Sequence, residues 1–204
     1  MWKWTGAALL LSVALFVQAC APKAAETDCG FVQNSYGERV SWKNEGIIDL
    51  YIHDSFPNEY IPALQSAALT WERSAGRRLF NIITEKVGGE IAPHKDGKNV
   101  IYFMNTWEAN RSTEQARTSI YWNGDQIAEA DIRVNALNFG FYWKDSGGFN
   151  PNVNIEALLL HELGHVLGLK HKDSGGSVMA TYLPSGANRI QLASTDVSDL
   201  KCEY

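Results

Sequence analysis

Hydrophobic and polar residues alternate along the middle of the chain in segments that predict both strands and helices. Strands are predicted at residues 47–53, 80–84 and 99–103, where short apolar runs are bounded by polar residues. A helix is predicted at residues 57–76, between the first two strands, because apolar side chains recur there at helical spacing: Tyr60, Ile61, Leu64, Ala68 and Trp71. A polar loop, residues 105–115, follows the third strand.

Two further strands are predicted at residues 118–122 and 127–134, on either side of the sequence Asn123-Gly124-Asp125. Asn-Gly adopts positive φ angles readily, so this sequence is a strong signal for a tight hairpin turn. The two strands are therefore expected to pair as a hairpin.

Two helices are predicted in the C-terminal part of the chain. A leucine-rich segment predicts a helix that begins near Asn152 or Asn154, either of which can cap it, and continues to Leu167. Residues 194–200 predict a short final helix. Together with the strands, these helices favour an arrangement of mixed α and β layers.

Composition favours one globular domain with a sizeable core, because the 204 residues are 45% hydrophobic and contain no visible repeat or low-complexity tract. The formal net charge is -5, and no basic stripe is present among the scattered Lys and Arg residues. These features argue against a nucleic-acid partner. We expect a monomer.

The N-terminal residues predict an export signal over residues 1–19. Lys3 supplies a positive charge, and residues 7–17 form an apolar run that is too short to span a bilayer. The run ends in Val17-Gln18-Ala19-Cys20, which resembles the lipobox of bacterial lipoproteins, where the cysteine is lipidated. The resemblance implies a lipid anchor on Cys20, a tether over residues 20–45 and a location in the bacterial cell envelope. Ordinary signal cleavage and secretion, with a free Cys20, is the alternative.

The residue that follows the lipobox cysteine bears on which membrane would hold the anchor. Ala21 stands there, and it lacks the carboxylate that would favour retention in the inner membrane. The resemblance to lipoproteins therefore points to the outer membrane, if the cell has one.

The sequence His161-Glu162-Leu163-Gly164-His165-Val166-Leu167-Gly168-Leu169-Lys170-His171 has the spacing that one metal ion requires. On a helix, His161 and His165 lie about 6 Å apart along the axis and roughly 40° apart around it. Ten residues of continuous helix would carry His171 about 15 Å away, so the helix must end first. Gly168 is placed to end it, because glycine readily takes a left-handed conformation. Three imidazoles and one open position predict a catalytic zinc ion.

Glu162, beside the first of these histidines, predicts hydrolysis. A water molecule at the open position of such a zinc ion has a pKa of about 7. An adjacent carboxylate can accept its proton and later pass that proton to the leaving amine, which makes Glu162 the predicted general base. An ordinary buried amphipathic helix is the alternative interpretation of this segment.

This segment resembles the metzincin metallopeptidases, whose signature H-E-x-x-H-x-x-G-x-x-H it matches at every fixed position, and within them the matrixins. The resemblance implies an α+β fold over residues 46–204, with a mixed twisted sheet of about five strands, two long helices, a zinc cleft and a small C-terminal subdomain. It also implies a zinc endopeptidase that acts on proteins or peptides. Lys172 departs from the family, which usually has Ser after the third histidine.

Further positions take their expected roles from the same resemblance. Ser177-Val178-Met179 is similar to the methionine turn of metzincins, in which the sulfur of Met179 would form a floor under the metal without binding it. Asp196 is where matrixins have an aspartate that supports this turn. Ala157, one helical turn before His161, is where matrixins place a side chain that limits the depth of the substrate pocket. An alanine there implies a deep pocket and a preference for a bulky apolar residue after the cut.

Peptidases of this class hold a substrate as an extended strand along the edge of the sheet above the metal. Residues 118–122 are the predicted edge strand, with Thr118, Ser119 and Ile120 as possible substrate-binding residues. An ordinary protected edge strand is the alternative. Tyr182 is expected in the outer wall of the pocket, where it would either donate a hydrogen bond to the oxyanion or simply pack.

If Cys20 carries lipid, Cys29 and Cys202 remain as an even pair in an oxidising compartment, which predicts a disulfide bond between them. The alternative is that Cys29-Gly30 resembles the cysteine switch of matrixin zymogens, although the flanking Arg and Pro are absent. Calcium is possible, but its oxygen ligands cannot be identified from the sequence.

The sequence as a whole predicts a lipid-anchored zinc endopeptidase. The rival interpretation is a non-catalytic peptide-binding or adhesion lipoprotein with the same fold. Glu162 argues against the rival, because a zinc site that serves structure alone needs no base beside an open position.

Overall fold

The computed structural model describes residue 1 and residues 25–43, 46–144, 150–174 and 176–204. Residues 2–19 of the predicted export signal and the lipidation site predicted at Cys20 lie outside these residues. Within the described part of the chain, no helix is both long enough and apolar enough to cross a membrane.

Each helix and strand that the hydrophobic pattern predicts is present, together with two short strands that it did not predict, Phe141–Tyr142 and Val153–Asn154. The N-terminal elements, in chain order, are β1 (Ile48–His53), α1 (Ile61–Ala75), β2 (Phe80–Val87), β3 (Asn99–Met104), β4 (Ala116–Asn123) and β5 (Gln126–Asn135). The C-terminal elements are β6 (Phe141–Tyr142), β7 (Val153–Asn154), α2 (Ile155–Val166) and α3 (Ser194–Leu200). The helix α1 begins later than predicted, because Asn58–Tyr60 forms a separate 3-10 turn before it.

The main sheet has five strands in the order β2-β1-β3-β5-β4. The strand β1 is parallel to both β2 and β3, and β3 is parallel to β5, whereas β4 runs antiparallel to β5. The turn between β4 and β5 contains Gly124 with a φ of 61°, as the hairpin signal predicts. The strand β4 therefore lies at the edge of the sheet, as predicted.

The helices α1 and α2 pack against each other and form one continuous core with the sheet. Trp71 of α1 is fully buried, and its indole N–H donates to the carbonyl oxygen of Leu160 in α2 at 2.8 Å. A buried indole needs such a partner, so this bond fixes the two helices relative to each other.

The N-terminal segment of the described chain packs against the C-terminal helix. A disulfide bond joins Cys29 to Cys202, with their Cα atoms 6.4 Å apart, so the predicted pairing is present. Because the sulfur of Cys29 is bonded to Cys202, it does not act as a cysteine switch in this structure. Phe31 also forms an antiparallel bridge with Leu169, just beyond α2.

Candidate zinc centre

Both ends of α2 are defined by local sequence. The side chain of Asn154 accepts hydrogen bonds from the backbone N–H groups of Glu156 and Ala157, at 3.0 and 3.2 Å, so Asn154 is the N-cap. Gly168, just beyond the last turn, has a φ of 99°. A Cβ atom at this position would also collide with the carbonyl oxygen of Val40. Glycine is therefore required both for the turn and for the space.

The turn at Gly168 brings the three histidines together. The ring centroids of His161 and His165 are 4.6 Å apart. The ring centroid of His171 lies 5.2 Å from that of His161 and 4.8 Å from that of His165. One nitrogen atom from each ring lies within 4.8 Å of the others. Reversal of the chain after α2, which the spacing predicts, is what allows this convergence.

Two of the imidazoles are oriented by backbone carbonyl groups. Nδ1 of His161 lies 2.8 Å from the carbonyl oxygen of Val178, and Nδ1 of His165 lies 2.7 Å from that of Leu169. If each Nδ1–H donates to its carbonyl, the lone pair of Nε2 points towards the shared centre. Burial lowers the pKa of both imidazoles to about 4, so both are neutral, as zinc ligands must be. A set of three imidazole ligands fits zinc.

Glu162 lies beside this centre with only 3% of its surface exposed. The Thr118 hydroxyl, from the edge strand β4, donates to Oε2 of Glu162 at 2.6 Å. Burial raises the pKa of Glu162, while the hydrogen bond from Thr118 acts in the opposite direction. Sequence reasoning assigned Thr118 to substrate binding and missed this contact, because the two residues are 44 positions apart and no local motif links them.

Met179 packs against α2 between the positions of His161 and His165. It is 2% exposed, and its sulfur packs so closely against Gly164 of α2 that a Cβ atom on Gly164 would collide with it. The backbone N–H of Met179 donates to the Ser177 hydroxyl at 3.0 Å. The turn therefore contacts the helix that carries His161 and His165.

Asp196 of α3 holds this turn. Its carboxylate accepts from the Ser177 hydroxyl, from the backbone N–H of Val178 at 3.0 Å and from that of Ala193 at 2.8 Å. Lys172, where matrixins usually have Ser, forms an ion pair with Asp199 of the same helix. The helix α3 is thus attached to the chain on both sides of the turn.

A family model described as matrixin matches residues 16–204. The chain belongs to the matrixin family. Metalloendoproteinase 1 from Glycine max is 27% identical over 86 residues, which cover 40% of this chain and 28% of that protein. The chain therefore matches less than a third of this relative's length. Matrixins are zinc-dependent metalloproteases, and family membership confirms the α+β metzincin fold.

The histidines of this matrixin lie in a cleft of about 720 Å³ between the edge strand and the C-terminal segment. Thr118 and Ile120 line its upper side. Ser119 does not line the cleft, because successive side chains of a strand point to opposite faces. Of the three side chains predicted on the edge strand, two therefore face the cleft.

Ala157 does not line the cleft as predicted. Its side chain is 2% exposed and belongs to the core, whereas Leu158 lines the cleft. Each residue of a helix turns the side-chain direction by 100° around the axis. With His161 taken as 0°, Leu158 points at about 60°, near the middle of the face that His161 and His165 share with Glu162. Ala157 points at about -40°, away from that face. A deep pocket therefore cannot be argued from Ala157.

Tyr182 lines the opposite wall of the cleft together with Leu183. It is 70% exposed, so it does not pack into the core. The carbonyl oxygen of Leu183 accepts from the Gln115 side chain at 2.9 Å, which ties this wall to the segment just before the edge strand. Sequence reasoning did not identify Gln115.

Among the His, Cys, Asp and Glu side chains of the described residues, the three histidines form the group whose arrangement could hold a metal ion. His53 is buried at the end of β1, where its Nδ1 contacts the Ser55 hydroxyl at 3.0 Å. His94 lies 3.6 Å from Glu90 on the surface. Calcium binding stays a prediction.

Proposed function

We propose that this matrixin is a zinc-dependent endopeptidase that hydrolyses peptide bonds in extended protein segments, with Glu162 as general base. The observation that carries the proposal is the carboxylate of Glu162, buried beside three convergent imidazoles in an open cleft. Membership of the matrixin family and the name of the Glycine max relative support the same activity.

His161, His165 and His171 would hold the zinc ion through one imidazole nitrogen each. When bound, zinc would supply a Lewis acid that polarises the scissile carbonyl and acidifies the attacking water. Glu162 accepts a proton from that water as the water oxygen bonds to the carbonyl carbon. It then delivers the proton to the amide nitrogen as the carbon–nitrogen bond breaks. The products are a carboxylic acid and an amine.

The edge strand β4 supplies the substrate-binding surface in this proposal. One side of β4 pairs with β5, so its other side presents backbone N–H and C=O groups to an added strand. Backbone pairing aligns an extended peptide whatever its side chains, and it brings successive peptide bonds past Glu162. Folded segments cannot pair in this way, so unfolded or extended regions of proteins are the proposed substrates.

The proposed location is the cell envelope, through a lipid on Cys20. Support comes from the apolar run of residues 7–17 and from the lipobox-like sequence that ends at Cys20. An enzyme tethered in this way would act on proteins of the envelope or of the surroundings of the cell.

The test compares the wild type with Glu162→Gln and His165→Ala in cleavage of unfolded proteins and peptide libraries, with the zinc content of each measured. The Glu162→Gln variant should keep its zinc but lose roughly 10²–10⁴-fold in rate, because an amide cannot accept the proton. The His165→Ala variant should lose both its zinc and its cleavage activity. A zinc-loaded wild type that cleaves no faster than Glu162→Gln would leave the peptide-binding lipoprotein as the function.

A further inference from the structure

Thr118 faces two ways in the cleft. Its backbone belongs to the edge strand β4, where it is paired with Ile132 of β5. Its hydroxyl crosses to α2 and lies 2.6 Å from Oε2 of Glu162, and 3.3 Å from the carbonyl oxygen of the same residue. The shorter distance identifies the carboxylate as the acceptor of the hydroxyl proton.

The orientation of the Glu162 carboxylate needs such a partner. The last torsion of a glutamate side chain is broad, so burial alone does not fix the plane of the carboxylate. In the described part of the chain, the Thr118 hydroxyl is the group that donates to Oε2, and no hydrogen bond to Oε1 is present. The bond therefore engages one carboxylate oxygen and leaves the other for the attacking water.

Threonine suits this task better than a longer polar residue. Its branched Cβ restricts the side chain to few rotamers, and its strand backbone is held by pairing on the β5 side. The hydroxyl is thus aimed at Glu162 at little cost in conformational entropy.

We infer that Thr118 is a positioning residue for the proposed general base: its hydroxyl fixes the carboxylate of Glu162 so that Oε1 faces the attacking water. The inference rests on the proposed peptidase function and extends it, because it links the strand that binds the substrate to the base that cleaves it. Thr118 touches Glu162 and not the reacting bond, so it acts through Glu162.

The test uses Thr118→Val, which replaces the hydroxyl with a methyl group of similar size, and Thr118→Ser, which keeps the hydroxyl. Loss of a supporting bond of this kind typically costs about 10- to 100-fold. We expect Thr118→Val to lower kcat by that factor, with KM, zinc content and Tm near those of the wild type. The Thr118→Ser variant should recover most of the kcat. If Thr118→Val does not fold, Thr118→Ala serves in its place.

The matched control is Thr84→Val, the same chemical change on β2, where Thr84 is exposed at the opposite edge of the sheet. It should leave kcat unchanged. A double variant with Glu162→Gln should be no slower than Glu162→Gln alone, because Thr118 acts only through that carboxylate.

Three results would overturn the inference: wild-type kcat in Thr118→Val, a loss in Thr118→Ser as large as in Thr118→Val, or losses that multiply in the double variant. Failure of the peptidase function looks different. In that case the wild type itself would cleave no faster than Glu162→Gln.

Discussion

Two buried carboxyl groups, Glu162 and Asp131, have different surroundings. Glu162 receives a hydrogen bond from a hydroxyl on a neighbouring strand. Asp131 in β5 is fully buried, and its Oδ1 accepts from the backbone N–H of Val100 at 2.9 Å. Its Oδ2 has no hydrogen-bond partner among the described residues, and neither has Oε1 of Glu129, which is buried two positions earlier on the same strand face. Asp131 therefore favours its protonated form.

The stability of the protein should depend on pH through Asp131. Burial, together with the charges of Glu129 and Asp96, raises the pKa of Asp131 from 3.8 to about 7. Between these values the folded state holds a proton that the unfolded state releases, so stability falls as the pH rises from about 4 to 7. The stability of the Asp131→Asn variant should not decrease over this pH range, and the variant should be more stable than the wild type at pH 8. Urea unfolding at pH 5 and pH 8 measures both effects.

The control for this prediction is Asp49→Asn, which changes an exposed carboxylate of β1. It should keep the pH dependence of the wild type. An Asp131→Asn variant that retains the same loss of stability between pH 5 and pH 8 would show that another group causes it.

The methionine turn and α3 form one unit under the metal centre. The helix α3 has only seven residues, too few for a stable helix in isolation. Its position depends on Asp196, which is 1% exposed and accepts hydrogen bonds from both the turn and the start of α3. Val178 belongs to this turn, and its carbonyl oxygen contacts Nδ1 of His161. Support for the turn is therefore support for a predicted zinc ligand.

Asp196→Ala should destabilise the protein by about 2–4 kcal/mol, because the N–H groups of Val178 and Ala193 lose their acceptor where little water can replace it. It should also weaken zinc binding, through the loss of orientation of His161. Chemical denaturation and zinc competition with a chelator measure the two effects. Glu85→Ala, at an exposed position in β2, should change neither. Unaltered zinc affinity in a destabilised Asp196→Ala protein would separate the turn from the metal centre.

The disulfide joins Cys29 to Cys202, across 173 positions of sequence. Its main effect is expected on the unfolded state, where closing so long a loop removes conformational entropy. The N-terminal segment is also held by backbone bonds, from Val32 N–H to Gly168 O at 2.9 Å and from Lys170 N–H to Gly30 O at 2.8 Å. These bonds stay in place when the sulfur atoms are separated.

The double variant Cys29→Ser/Cys202→Ser should therefore fold as the wild type does but be less stable, by up to about 4–5 kcal/mol on the entropic model. Urea unfolding of the variant and of the wild type measures the difference. Treatment of the wild type with a reductant should give the same loss, whereas the variant should not respond to it. Equal stability of the two proteins would contradict the prediction.

Membrane attachment is predicted to depend on Cys20 alone. Cys20→Ser should leave the domain folded but release it from membranes, because the lipid would have no acceptor. Fractionation of expressing cells measures the distribution, with the domain's fold checked by its Tm. Mutant protein that still pellets with membranes after a high-salt wash would refute the anchor.

Much of this architecture was predictable from the sequence. Alternation and helical spacing located the strands and helices, and Asn-Gly located the hairpin, because these signals act between residues close in the chain. The histidine motif is also local, since the helix and Gly168 fix the relative positions of its members. The resemblance to matrixins then correctly implied the family and the fold.

Other features depended on contacts between distant segments. The Thr118 hydroxyl meets Glu162 across 44 positions, and Gln115 meets Leu183 across 68. The misassignment of Ala157 has a different cause, because helical spacing counted from His161 already places Leu158, and not Ala157, on the face that lines the cleft. Local spacing determined which residues can meet within one element, whereas only the packing of elements decided which side chains meet between them.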